Sequence, residues 1–488
     1  MRYLFFVPPS SGEINPFLAV AQAIIHQDTE AHIHLASGPD IDRLLAQTPH
    51  SDALASRLHT IVLSRNHLVS DTAACTEYAK PHPRGNPMSL YEWYEQMVPT
   101  TLEGMSDVAK ASKQAVYNIK PDIIIVNGGS ACAFDTMRSI KIPFIRISGS
   151  HPSGCMPITP LFGPLPGSGI LWTGSLSNIF ANFVYIARHV RFGWHSRLCQ
   201  DLVKFRRNIM GLEPLAFGAD QGKDAPPSSR VREVCKTILF NNDGLYPYIK
   251  TPKNHCYVGH SIQQVSDNVP LSREAEIESG RLNDWLDEAL KLDHEVVVIN
   301  FGSLFKWNFS DTEAMLQALE YVRDEYPLLR VVWKANIKET TSSRPWIYRS
   351  AWLPSASRSY GHSAVKAIVY HGGGNTFNEA TLHGLPQLVV PQWQDGFDYG
   401  LSVEKLGLGL QTTYTGPELD AEGIGARLLQ LLNDRLRFVD SVKLWQAKAR
   451  AAGGAELAAN VIIGEAEKQK VHYMKILGKR EGSAYEVV

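Results

Sequence analysis

Ten short apolar runs set the terms for this chain: residues 3–7, 32–36, 60–63, 122–126, 143–147, 237–240, 295–300, 330–334, 366–370 and 387–390. Each is too short for a core helix and is bounded by turn-forming residues, so each reads as a buried strand. The mixed segments between them read as helices, and strand alternating with helix specifies parallel sheets covered on their faces. A Pro- and Asn-containing connection at about 241–267 interrupts the rhythm after the sixth run. The chain therefore reads as α/β, two Rossmann-like domains facing across a crevice. The expected boundaries are 1–245, a linker 246–280, a second domain 281–454, and a terminal segment 455–488 with a loose tail. Open sheets of this kind bind ligands at the carboxyl ends of their strands, so site residues are expected at the strand-to-helix turns of both halves.

The richest of these turns is residues 371–398, HGGGNTFNEATLHGLPQLVVPQWQDGFD. The run ending at Tyr370 gives way to a helix expected from about Thr376 to His383, which places Gly372, Gly373 and Gly374 in the turn. Glycines there let a ligand approach the backbone, and the helix aims unpaired N–H groups and its positive end at the same space, which suits phosphate. His371, Asn375 and Thr376 add side-chain donors, and Glu379, one turn into the helix, offers a carboxylate that accepts from two vicinal hydroxyls. Phosphate donors beside a hydroxyl-binding acid point to a nucleotide.

The ordered set His371-x-Gly373-x-Asn375-Thr376-x-x-Glu379, Gly384-x-Pro386, Pro391-x-x-x-Asp395 resembles the signature of the family-1, UDP-sugar-dependent glycosyltransferases. Phe301-Gly302-Ser303 after the run 295–300, and Trp352-Leu353-Pro354 before His371, are similar to further family motifs. The resemblance implies the GT-B fold, with a terminal helix in 455–473 crossing back to the first domain. It implies that Gly302, Ser303, His371, Gly373, Asn375 and Thr376 surround the diphosphate and that Glu379 holds the ribose. Trp352 and Leu353 would hold the uracil, and Asp395 the sugar hydroxyls. The family has Gln after that Asp, where Gly396 stands here, so the donor sugar, glucose by expectation, is left open.

The first strand leads into Gly12-Glu13-Ile14-Asn15-Pro16. Family members carry His as general base where this chain has Glu13, and support it with an Asp after a later strand, where this chain has Asn127. The two changes belong together: Glu beside Asp suffers like-charge repulsion, whereas Asn donates a hydrogen bond to Glu. Glu13 and Asn127 are thus the expected catalytic pair of an inverting transfer from a UDP-sugar to a small apolar or aromatic acceptor, O-linked rather than C-linked. A catalytically silent nucleotide-sugar-binding protein and a lipid- or sterol-directed transferase are the alternatives.

The remaining features bound the reading. A net charge of −1, with 44% apolar and 20% charged residues, describes an ordinary globular chain and disfavours nucleic acid. Six scattered cysteines form no C-x-x-C pair, so neither a disulfide framework nor a structural zinc is expected. Asp40-Ile-Asp42 reads as charge at a helix start rather than a metal motif, no Gly-x-Gly-x-x-Gly follows a strand, and no cofactor beyond the UDP-sugar co-substrate is called for. Residues 152–187 carry no charge, but prolines and glycines break them before a membrane span is reached. We read 170–187, with Trp172, Phe180 and Phe183, as the apolar wall of the acceptor pocket. The five-residue apolar run near the N-terminus is a strand rather than a signal peptide, and a cytoplasmic monomer is expected.

Overall fold

The computed structural model describes residues 1–47, 51–64, 82–87, 98–156, 161–212, 231–261, 273–335, 344–351, 353, 356–413 and 416–478. Trp352 and the tail beyond 478 lie outside the described residues. Two all-parallel sheets carry the fold. The first comprises β1 (Arg2–Phe6), β2 (His32–Ser37), β3 (Leu58–Val62), β4 (Ile123–Asn127), β5 (Phe144–Ser148), β6 (Val234–Leu239) and β7 (His255–Tyr257) in the order β3-β2-β1-β4-β5-β6-β7. The second comprises β8 (Glu295–Asn300), β9 (Leu329–Lys334), β10 (Ile347–Ser350), β11 (Val365–Tyr370), β12 (Gln387–Val389) and β13 (Gly409–Gln411) in the order β10-β9-β8-β11-β12-β13. In each sheet the order reverses beside a central strand, β1 against β4 and β8 against β11, and the crevice for a ligand opens at that reversal.

The central strands are apolar runs, Tyr-Leu-Phe-Phe in β1 and mainly Ile and Val in β4, β8 and β11, buried on both faces as helices on both sides of a parallel sheet require. Each sheet builds its own apolar core. The terminal helix Gly454–Gly478 joins the first core through Ala458, Ala459, Ile462 and Ala466, and the Tyr473 hydroxyl accepts from Ile124 N on β4. The small residues let the helix lie close to helix Ser11–Gln27. Strand β7 falls within residues 246–280, expected as linker, yet it pairs with β6 in the first sheet. Strands of three or four residues, such as β7, β10 and β13, leave too short an apolar run to stand out in sequence.

The structure corrects the expected pocket wall. Helix Leu176–His195 buries its polar side, Asn182, Tyr185 and His189. Phe180 is 70% exposed and Phe183 49% exposed, and Trp172 lies half-buried ahead of the helix. The cause is local hydrogen bonding. Asn182 donates to Gly163 O at 2.8 Å and accepts from Leu165 N, while the Tyr185 hydroxyl donates to Pro166 O at 2.6 Å. A Cβ on Gly167 would sit between Tyr185 Oη, at 3.4 Å, and the Gln394 backbone, at 3.7 Å. The inward side thus looks toward the second domain, and Phe180 and Phe183, on the opposite side of the helix, look away from the crevice.

Candidate active site

The first strand-to-helix turn places Glu13 inside helix Ser11–Gln27, whose start has no side-chain cap. Asn127, the last residue of the neighbouring β4, donates through Nδ2 to Glu13 Oε2 at 2.6 Å. Its other amide atom, Oδ1, accepts from Gly129 N at 2.7 Å, which fixes the amide so that a donor faces Glu13. Burial pushes the Glu13 carboxyl up, the Asn127 hydrogen bond pulls it back, and the charge of Asp395 across the crevice adds to the rise. The structure therefore brings the expected pair together in the expected donor-to-carboxylate sense.

Pro16 sits within the same helix and lacks the N–H that would bond Gly12 O one turn back. Asn375 of the second domain donates to that carbonyl instead, at 2.8 Å. The Asn375 amide thus ties the two site helices together. Around it the domains are joined by Asn378 Nδ2 to Phe240 O at 2.8 Å and by Tyr399 Oη to Asn241 Oδ1 at 3.1 Å.

Helix Gly374–His383 begins at Gly373, and no side chain caps it, so its first N–H groups face the crevice without a competing side chain. Thr376 is buried in its first turn. The glycines here have a second use that the sequence did not reveal. A Cβ on Gly373 would come within 2.6 Å of the His371 ring, one on Gly302 within 2.8 Å, and one on Gly374 within 2.6 Å of Tyr399 Oη. Gly372 adopts φ +92° and meets Gly396 Cα at 2.5 Å from its own Cβ position. The turn is glycine-rich so that protein can pack against protein, with the helix end left for ligand.

His371 is lowered to about 4 by burial and then by the charge of Lys334, so it is a neutral imidazole at neutral pH and an N–H donor rather than a cation. Lys334, at the carboxyl end of β9, supplies the positive charge and also acts on Glu379, whose carboxyl burial pushes up to about 7. Gly302 N donates to Asn300 Oδ1 at 3.0 Å, and Ser303 stands exposed in the following turn. Leu353 is buried in the second core. Asp395 accepts from His151 N at 3.2 Å, and burial raises its carboxyl to about 6. Among the described residues no cluster of His, Cys, Asp and Glu suits a metal ion, and no helix is long and apolar enough to cross a membrane.

Comparison with known proteins gives this geometry its family. Residues 331–463 match the family described as erythromycin biosynthesis protein CIII-like, C-terminal domain. The chain is 23% identical to erythritol-mannosyl-transferase 1 of Pseudozyma antarctica, over 95% of this chain and 91% of that protein. It is 26% identical to UDP-glycosyltransferase 1 of Phaeomoniella chlamydospora, over 83% and 81%. The glycotransferase of kitacinnamycin superposes with TM-score 0.62 at 14% identity, covering 94% of this chain and 98% of that one. The calicheamicin glycosyltransferase superposes with TM-score 0.59 at 14% identity, covering 99% of each.

The chain is a glycosyltransferase of GT-B fold. Sequence reading of this glycosyltransferase missed Lys334, although a lysine ending an otherwise apolar strand was a readable signal. It also missed the buried group that joins the domains beside Asp395. There Asp398 accepts from Ser153 Oγ at 3.0 Å, Gly167 N at 2.7 Å and Gly169 N at 3.2 Å, while His151 Nε2 lies 3.1 Å from Ser402 Oγ.

Gly396 explains itself in this glycosyltransferase. A Cβ there would lie 2.9 Å from His371 O, so the backbone of the Asp395 loop runs where the family's Gln would need room. Restoring that Gln by Gly396→Gln is expected to destabilise the protein by about 1–3 kcal/mol, the usual cost of overpacking, and not to improve sugar selection. Denaturant unfolding and a donor-sugar panel would show this, and a stable variant with sharper sugar preference would contradict it.

Proposed function

We propose that the enzyme transfers a hexose from a UDP-sugar to a hydroxyl of a small acceptor with inversion, and that Glu13 is the base. The carrying observation is the 2.6 Å bond from Asn127 to Glu13 at the mouth of the crevice. In this reading the Glu13 carboxylate takes the acceptor's O–H proton as that oxygen bonds to the anomeric carbon. UDP departs with the electron pair of the broken bond. The uncapped start of helix Gly374–His383, the His371 N–H and the Lys334 charge face the departing diphosphate and stabilise it without reorganising. Glu379 takes the ribose hydroxyls, and Asp395 takes those of the sugar. UDP as the donor nucleotide is supported by the relative named for UDP-glycosyl transfer.

The acceptor reading shifts with the structure. The aromatic wall expected from Phe180 and Phe183 faces away from the crevice, which removes the argument for a flat apolar acceptor. The relative aligned over most of both chains is named for transfer to erythritol, and that favours an aliphatic polyol over a phenol.

Glu13→Gln keeps an acceptor for Asn127 while removing the base. It is expected to lower kcat by about 100- to 10,000-fold with UDP binding unchanged. The loss is expected to shrink for strongly acidic phenols, which ionise without help. Normal turnover of an unactivated alcohol by this variant would leave Glu13 as a helix-terminal charge only.

The pH dependence of nucleoside binding tests Glu379. Its carboxyl, near 7 when the site is empty, must be ionised to accept from two hydroxyls, so uridine affinity is expected to rise with pH by up to about tenfold per unit below 7 and then level off. Calorimetry from about pH 5.5 to 8 reads this out. A flat profile, or an unchanged slope in Glu379→Gln, would move the ribose elsewhere.

A further inference from the structure

Helix Leu176–His195 is built inside out. Its buried side is Asn182, Tyr185 and His189, and its outward side is Leu176, Phe180, Phe183, Val190 and Trp194. The spacing of four, three, seven and four residues keeps all five side chains on one line, and Ala187 fills the gap at the same helical position. Leu176 is 84% exposed and Trp194 77% exposed, and Leu161, Phe162 and Leu171 are exposed in the chain just before the helix. Polar anchoring of the inner side holds the stripe outward, so it is not a core face waiting to turn in.

The charge around the stripe indicates what it meets. From residue 136 to 200 the chain contains no Asp or Glu, while Arg188, Arg191 and Arg197 are exposed on or just beyond the helix. On a helical projection Arg191 flanks the stripe and Arg188 stands further round on the same side. A line of Leu, Phe and Trp bordered by Arg188 and Arg191, with Arg197 beyond the helix end 3.9 Å from Asp201, matches an amphipathic helix lying in the headgroup layer of an anionic membrane, and not a span across it. We infer that this helix seats the enzyme on the surface of a bilayer rich in acidic phospholipid, with its stripe in the acyl boundary and its arginines among the headgroups. The opposite side of the helix packs toward the Gln394–Asp395 loop, so the enzyme would sit with its crevice behind the docking surface and open to soluble donor.

Sedimentation of the full chain with vesicles tests this. Vesicles of phosphatidylcholine alone are compared with vesicles in which roughly a third of the lipid is phosphatidylserine. The wild type is expected to partition onto the acidic vesicles at least about 10-fold better, with the preference fading as salt rises. The Leu176→Glu/Trp194→Glu double variant is expected to lose about 100-fold in partition. Arg188→Glu/Arg191→Glu is expected to lose the preference for acidic lipid. Circular dichroism establishes that both variants are folded. Wild type remaining in the supernatant with both vesicles, or the Leu176/Trp194 variant binding as well as wild type, would overturn the inference. So would a wild-type dimer that the same variant splits, since the stripe would then join two copies of this chain.

Discussion

The proposed chemistry depends on one hydrogen bond, from the Asn127 amide to the Glu13 carboxylate. Glu13 is desolvated and faces the charge of Asp395, and both effects would protonate it and end its use as a base. The amide opposes them with a donor at 2.6 Å that brings no charge of its own. An Asp in place of Asn127 would bury a second carboxylate against the first, so a Glu base needs an amide partner where a His base needs an acid. The two residues are held side by side, Asn127 at the end of β4 and Glu13 in the helix that follows the neighbouring β1.

The site exists only when the two domains meet, and the contacts that join them also shape it. Pro16 leaves Gly12 O without a helical donor, and Asn375 fills the place from the other domain. That bond sets the two helix starts, one carrying Glu13 and one facing the donor, against each other. Beside them the Asp395 loop runs backbone against backbone with Gly372, which only glycine at 372 and 396 permits. Asp398, raised to about 7 by burial, sits in the first turn of the helix that follows and accepts three hydrogen bonds from the first domain. The proposed sugar contact and the domain contact thus share one short segment.

The parallel-sheet rhythm, the two halves and the turn at His371 were legible because strand burial and helix starts leave strong local patterns. Glu13 and Asn127 were legible as a pair because the family resemblance set them in the places of its His and Asp, and charge complementarity then matched an amide to a carboxylate. Other features could not be read locally. Nothing in the run around Phe180 distinguishes an apolar side turned inward from one turned outward, because the choice rests on Asn182 and Tyr185 bonding to a loop that is itself placed by the second domain. The bond from the Asn375 amide to Gly12 O could not be read locally because the carbonyl lies 363 residues away. The short strand β7 was hidden in an expected linker because its three residues gain their partners only from β6.

The account turns on Glu13 and Asn127 acting as one unit. A double-mutant cycle on kcat with the best acceptor, comparing wild type, Glu13→His, Asn127→Asp and the two together, measures this directly. If the pair is the base and its partner, each single change leaves a mismatched couple and the double restores a His held by a carboxylate. The double variant is then expected to turn over at least about 10-fold faster than either single variant, a coupling of roughly 1.4 kcal/mol or more. Losses that simply multiply in the double variant would contradict the account and separate Asn127 from the chemistry.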